Sequence, residues 1–275
     1  MSIKVLLKIF LLFLLSFVSL KAVDIDIKMG LGSQYAKSEG ELIFAKDFWA
    51  NSSGEISHEN APGIYTWIEV KPSESYLPQV YIEFSQLKTD GSSFINIETQ
   101  SDELNGIIDF LEEKTGQKIN EIPFNSRLIQ TDVEGYLYYE FFQDSGFPTL
   151  ALGAGIKNFD FDYKIAIMEG VELNAEGGDT IPLLFFKTDY MISEKSNGSS
   201  VSCELAGRLY VFGDSNVYDY MGKIDFMTPY NEDTSIGMEL GYKKSYIHIK
   251  GDDIDTLAGV MSTVGVYIAL VAYFR

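Results

Sequence analysis

Residues 201–212 read VSCELAGRLYVF and residues 218–227 read YDYMGKIDFM. In the first stretch Cys203, Leu205, Gly207, Leu209 and Val211 alternate with Ser202, Glu204, Ala206 and Arg208. In the second, Tyr220, Ile224 and Phe226 alternate with Asp219, Lys223 and Asp225. Side chains of a strand point to opposite faces in turn, so this period of two predicts strands with one apolar and one charged face. Gly213-Asp214-Ser215 falls between them as a tight turn.

The same pattern extends in both directions. Val133, Gly135, Leu137, Tyr139 and Phe141 oppose Asp132, Glu134, Tyr136, Tyr138 and Glu140, and Met238, Leu240 and Tyr242 oppose Glu239, Gly241, Lys243 and Ser245. Ten strands are predicted, at about 24–36, 62–71, 77–88, 127–142, 149–163, 180–193, 200–212, 216–227, 234–249 and 260–274. An eight-stranded barrel is the nearest alternative count. Short connections with turn chemistry (72–76, 143–148 with Asp144-Ser145-Gly146, 194–199 with Asn197-Gly198, and 229–233) alternate with mostly longer ones (37–61, 89–126, 164–179 and 250–259). Short turns at one end, long loops at the other and an even strand count describe an all-β, closed, antiparallel up-and-down barrel of the outer-membrane kind, with both termini on the periplasmic side. Within 89–126, Ser101 can cap a short helix on which Leu104, Ile107, Ile108 and Leu111 share a face and which Gly116 ends.

Alternation alone does not separate a membrane barrel from a soluble one, which keeps its apolar face inside. Two features favour the membrane. The polar face carries opposite charges that can pair inside a narrow lumen: Glu204 with Arg208, Lys223 with Asp225, Glu239 with Lys243, Lys187 with Asp189. Aromatic residues gather near strand ends (Tyr35, Tyr65, Trp67, Phe141, Phe142, Tyr246, Phe274), as interfacial girdles require. A soluble periplasmic barrel is the main rival.

Compartment is read from residues 1–22, where Lys4 and Lys8 precede an apolar run from Ile9 to Leu20 and Lys21-Ala22 leads into Val23-Asp24-Ile25-Asp26. A basic start, a short apolar core and a small residue at the break form a secretory signal peptide, too short for a spanning helix. The division is thus 1–22 signal peptide and 23–275 barrel domain. Removing that segment leaves 18 Lys and Arg against 40 Asp and Glu, a balance that disfavours nucleic acid. Cys203 is the only cysteine, so no intrachain disulfide can form.

Val264, Val266, Ile268, Leu270, Ala272 and Phe274 form an apolar row ending on an aromatic, with Arg275 after it. This row resembles the terminal-strand signal read by the outer-membrane barrel-assembly machinery. The chain as a whole resembles the small proteobacterial outer-membrane β-barrel proteins of unassigned activity. The resemblance is carried, in order, by Met29-Gly30-Leu31-Gly32, Tyr65-Thr66-Trp67-Ile68-Glu69 with Leu77-Pro78-Gln79-Val80, and Thr131-Asp132 with Tyr138-Tyr139-Glu140. Further on come Phe212-Gly213-Asp214 with Val217-Tyr218-Asp219-Tyr220, and Gly241-Tyr242-Lys243. Gln34-Tyr35 and Lys243 depart from it, where the family tends to have Trp and Arg, and the insert around 92–125 is longer. The resemblance implies a fold and a location, and no reaction.

Chemistry-bearing residues are sparse. The two histidines are His58, in the first long connection, and His248, near the outer end of the ninth strand. Ser245 and His248 are three apart on a strand and so face opposite ways, which gives no local catalytic dyad. Asp252, Asp253 and Asp255, and the set Glu169, Glu172, Glu176 and Asp179, could meet divalent cations that bridge lipopolysaccharide, but neither has EF-hand spacing, and solvated acidic loops account for both. Gly30-Leu31-Gly32 lacks the setting of a nucleotide loop; glycine there makes room for aromatics. No catalytic, cofactor-binding or metal site is assigned, and no cofactor is expected. Tyr65, Trp67, Tyr136, Tyr138 and Phe212 are expected to fill the lumen together with the charges. The reading is a non-enzymatic, monomeric structural or surface-interaction barrel, in contact with outer-membrane lipid and lipopolysaccharide. A narrow cation-leaning pore is the alternative, and a rim hydrolase acting on lipid or peptide comes after it.

Overall fold

The computed structural model describes residues 24–43, 53–74, 76–96, 109, 112–113, 121–142, 148–168, 171–212, 215–249 and 258–275. Ten strands run β1 (Ile25–Ile43), β2 (Ser53–Pro72), β3 (Gln79–Asn96), β4 (Glu121–Phe141), β5 (Thr149–Met168), β6 (Val171–Glu194), β7 (Ser200–Phe212), β8 (Ser215–Pro229), β9 (Thr234–Ile249) and β10 (Ala258–Phe274). Each pairs antiparallel with its sequence neighbours, and β1 pairs with β10, so the sheet closes without a free edge. Closure is what a sheet needs when one face meets a medium that cannot hydrogen-bond to an open edge.

Register fixes the geometry. Partners traced once round the barrel run Gln79, Tyr138, Gly153, Phe185, Arg208, Asp219, Ser245, Thr263, Ser38, His58 and Gly91. The trace leaves β3 at residue 79 and returns to it at residue 91, a shear of 12. On ten strands that shear tilts each strand by about 40° from the barrel axis. The start of β1, the C-terminus and the turns near 73–78, 195–199 and 230–233 lie at one end, here the turn end; the hairpins β1–β2, β3–β4, β5–β6 and β9–β10 form the other, the hairpin end. Gly198 occupies φ 80° in the Asn197-Gly198 turn, where an L-residue is strained, and the Asn197 side chain accepts the Ser199 N–H at 3.1 Å.

Strand count and order agree with the sequence, but strand lengths do not. In segments 37–61, 89–126 and 164–179, expected as long loops, residues 37–43, 53–61, 89–96, 121–126, 164–168 and 171–179 are strand, and β5 and β6 pair out to Met168 with Val171. Beyond the apolar belt the outward positions become polar, as at Asp160, Asp162 and Lys164. The hydrophobic half of the period-two signal vanishes there while the hydrogen-bonded ladder continues. The helix expected over 101–116 falls mostly outside the described residues, of which Asp109, Glu112 and Glu113 are helical.

The two faces sort as the alternation predicts. Leu31, Leu137, Leu152, Ile156, Leu184, Leu205, Leu240 and Leu270 all point outward and are exposed. On β10 the outward row from Val264 to Phe274 covers 11 residues, about 33 Å along the strand and roughly 25 Å along the axis after tilt. Tyr35, Phe141 and Phe274 lie on this outward surface, exposed Phe142 occupies the turn at φ 64°, and Tyr246 stacks on Tyr218 with ring centroids 4.5 Å apart. Tyr65 and Trp67 do not join the girdle: register turns both into the lumen, where they are buried. Strand parity, and not nearness to a strand end, decides which way a side chain faces.

Candidate functional site

The lumen gathers nearly all the polar chemistry of the described residues. Near the turn end, the Lys187 ammonium donates to Glu69 at 2.7 Å and lies 3.5 Å from Glu140 and 3.8 Å from Glu204. Lys223 reaches Glu239 at 3.0 Å and Glu204 at 3.5 Å, Lys28 pairs with Asp225 at 2.8 Å, and Lys71 with Glu140 at 2.6 Å. Tyr138 donates its hydroxyl to Glu69. Trp67 donates its indole N–H to Glu239 at 3.1 Å while Lys223 sits 4.4 Å from the ring centroid, so one side chain serves an anion by its edge and a cation by its face.

Further along the same strands stands a second charged layer. Arg208 bonds Glu83 at 2.9 Å and approaches Glu134 at 3.2 Å; Lys243 donates to the same two carboxylates. Lys157, fully buried, reaches Asp219 and Glu134 at 2.9 Å and Asp132 at 3.3 Å. Aromatic rings fill the space around these layers: Trp67 stacks on Tyr81 at 5.9 Å, Tyr136 on Phe185 at 4.8 Å, and Tyr65 tilts against Tyr267 at 4.2 Å. Glycines make this packing possible, because a Cβ at Gly30 would collide with the Trp67 indole and one at Gly241 with the Tyr267 ring.

Toward the hairpin end the interior turns apolar and neutral. Leu128, Phe159, Phe161, Val217, Ile247 and Met261 are buried there. Beside them Gln130 donates to Asp132 at 3.0 Å and accepts from Thr263 at 3.1 Å. A cavity of about 20 Å³ borders Ser85, Asp132, Lys243, Ser245 and Tyr267, room for roughly a single water. Side chains of opposite charge, rings and aliphatic groups therefore block the axis at three successive levels.

The pairs expected from sequence are only partly those that form. Glu204, Arg208, Lys223, Asp225, Glu239, Lys243 and Lys187 all face inward. At their shortest contacts Arg208, Lys187, Lys243 and Asp225 reach across the lumen to Glu83, Glu69 and Lys28, while Lys223 pairs with Glu204 and Glu239 on the two adjacent strands; Lys187–Asp189, at 3.9 Å, is a long contact. Glu69, Glu83 and Lys157 are not among the charge pairs that the sequence predicts. Their parity against Ile68, Phe84 and Ile156 was the available signal, but which partner each meets depends on closure. Phe212 lies at the end of β7, and its side chain falls outside what is described.

Ser245 and His248 do not form a nucleophile–base pair, and the side chain of His58 lies outside the described residues. Ser245 faces the lumen and is buried, whereas His248 has outward parity opposite Val260 and Asn216. His58 is in β2, opposite Ser38 and Gly91. Among the described residues no three His, Cys, Asp or Glu side chains are grouped as a metal site. Asp179 is exposed, and its carboxylate accepts the Thr180 backbone N–H at 2.6 Å. Asp252, Asp253, Asp255 and Glu169 lie outside the described residues, and the side chains of Glu172 and Glu176 are likewise outside them.

No family model and no curated protein matches the chain. Among solved structures it is similar to the attachment invasion locus protein Ail of Yersinia pestis, at 8% identity over 89% of this chain and 98% of that one, with a TM-score of 0.34. It is also similar to the translocator domain of the autotransporter NalP of Neisseria meningitidis, at 8% identity over 94% and 91% with a TM-score of 0.35. The transport unit of the autotransporter AIDA-I of Escherichia coli gives 8% identity over 91% and 90%, with a TM-score of 0.37. Similarity at that level carries no argument, and the closed ten-stranded antiparallel barrel is established by its own strand register.

Proposed function

We propose that this protein is an integral β-barrel of the bacterial outer membrane, with a closed lumen and a role exercised through its projecting hairpins. One observation carries the reading: the apolar belt faces outward all round while the charges face a shared interior. A soluble barrel has the opposite arrangement, and a surface bearing Leu31, Leu137, Leu184, Leu205, Leu240 and Leu270 together would aggregate in water. The residues that would have to line a pore are instead held against one another by ion pairs and packed rings. The expected phenotype is electrical silence.

The hairpin end supports the interaction role. From Ile156, among the last exposed apolar residues on β5, the strand continues to Met168, about 40 Å along its length and roughly 30 Å along the axis. With the turn end in the periplasm, this hairpin stands well clear of the bilayer. Two measurements test the reading. Outer-membrane fractionation with heat-modifiable migration should show an integral barrel, and recovery in the soluble periplasm would refute it. In planar bilayers the purified protein should give no stepwise conductance; regular openings would instead favour the cation-leaning pore.

A further inference from the structure

The outward face just beyond the apolar belt is uneven around the barrel. On β1, β10, β9 and β8, Lys37, Val264, Lys244 and Tyr220 are successive lateral partners in a single row. The row on the turn-end side of it runs Tyr35, Val266, Tyr242 and Gly222; the row on the hairpin-end side runs Glu39, Ser262, Tyr246 and Tyr218. Two lysines thus stand two strands apart, roughly 10 Å, in a frame of five tyrosines. The frame is ordered: Tyr218 stacks on Tyr246 at 4.5 Å and tilts against Tyr220 at 5.6 Å. On β4, β5 and β6 the outward positions next to the belt are Thr131, Asn158, Asp160 and Thr180; the cations on that side, Arg127 and Lys164, are lateral partners four residues farther toward the hairpin end, and Arg127 is held by Asp90 at 2.6 Å.

Among the described residues Lys37 has one ion-pair partner, Glu39, at 2.5 Å on an exposed surface, and no carboxylate lies within ion-pair distance of Lys244. A half-buried lysine set between tyrosines at the edge of a lipid-facing belt directs its ammonium along the surface into the headgroup layer. What it meets there must be anionic, must reach both lysines and must lie in the leaflet at the hairpin end. We infer that this face, on β1 and β8–β10, holds the phosphorylated sugar headgroup of outer-leaflet lipopolysaccharide, with Lys244 and Lys37 on its phosphates and the tyrosines against its sugar rings. The inference rests on the membrane reading above and adds a specific lipid and a specific side of the barrel to it.

The test uses the full chain folded into nanodiscs of neutral phosphatidylcholine, doped with bis-phosphorylated lipid A or with its dephosphorylated form. Native mass spectrometry reads lipid retained on the barrel. The wild type should retain the phosphorylated form in preference, Lys244→Gln should reduce that preference about fivefold, and Lys37→Gln with Lys244→Gln should abolish it. Lys88→Gln and Lys164→Gln, on other faces, should leave it unchanged. Equal retention of both lipids by the wild type, or a preference that survives the double variant, overturns the inference while the membrane reading stands. A chain that forms no heat-modifiable barrel in any nanodisc removes both.

Discussion

Arg208 shows how the lumen is held at the residue scale. Its guanidinium is fully buried between Glu83 and Glu134, two carboxylates that it shares with Lys243. Removing one member of such a buried set leaves charge without a partner, which costs about 3–5 kcal/mol, whereas replacing the whole set with neutral groups of similar size can be nearly neutral. Arg208→Met is therefore expected to lower unfolding stability in lipid vesicles by about 3–5 kcal/mol. Adding Glu83→Gln, which restores the charge balance and leaves Glu134 to Lys243 and Lys157, should recover much of the loss, and a double variant as unstable as the single one would refute the pairing. Sequence parity already turns Arg208 and Glu134 inward. Their meeting is invisible to it, because they lie on β7 and β4, which are not adjacent.

At the scale of the element, each strand carries a lipid-facing and a lumen-facing code whose length sets the belt. Leu205 and Glu204 are neighbours in chain but opposite in environment, one exposed outward and one buried among Lys187 and Lys223. Leu205→Arg should destabilise the folded barrel by about 2–4 kcal/mol in bilayers, the cost of a cation at the midplane. The same substitution at Thr180, past the belt on β6, should cost under 1 kcal/mol, as for positions near the interface. Equal costs at the two positions would place the belt wrongly. The β5–β6 hairpin makes the complementary case: an epitope inserted between Glu169 and Gly170 should leave folding intact and be reached by antibody on whole cells. A tag detected only after lysis would invert the orientation. Strand cores were legible because alternation is strong where one face meets lipid. Strand ends were not, because a ladder with water on its outer face needs no apolar residues to persist.

For the molecule as a whole, closure converts ten separate two-faced strands into an outside and an inside. The shear of 12 brings residues from distant parts of the chain to one level, so that Lys157 on β5 meets Asp219 on β8 and Lys243 on β9 meets Glu83 on β3. A barrel of this width could have kept a water-filled axis or filled it with side chains. The choice lies in volume and charge matching across the lumen, with Trp67, Tyr65, Tyr136 and Tyr267 occupying what the ion pairs leave. What the sequence by itself determined is the strand number, their order, the charged and apolar faces of the strands and the closed antiparallel topology, since all of these follow from local period and connection length. Only the tertiary structure decided which charges pair, that Tyr65 and Trp67 fill the lumen and do not also serve the girdle, and how far the described strands run into the connecting segments. Those depend on register around a closed cylinder, a property shared by all ten strands and held by none of them alone.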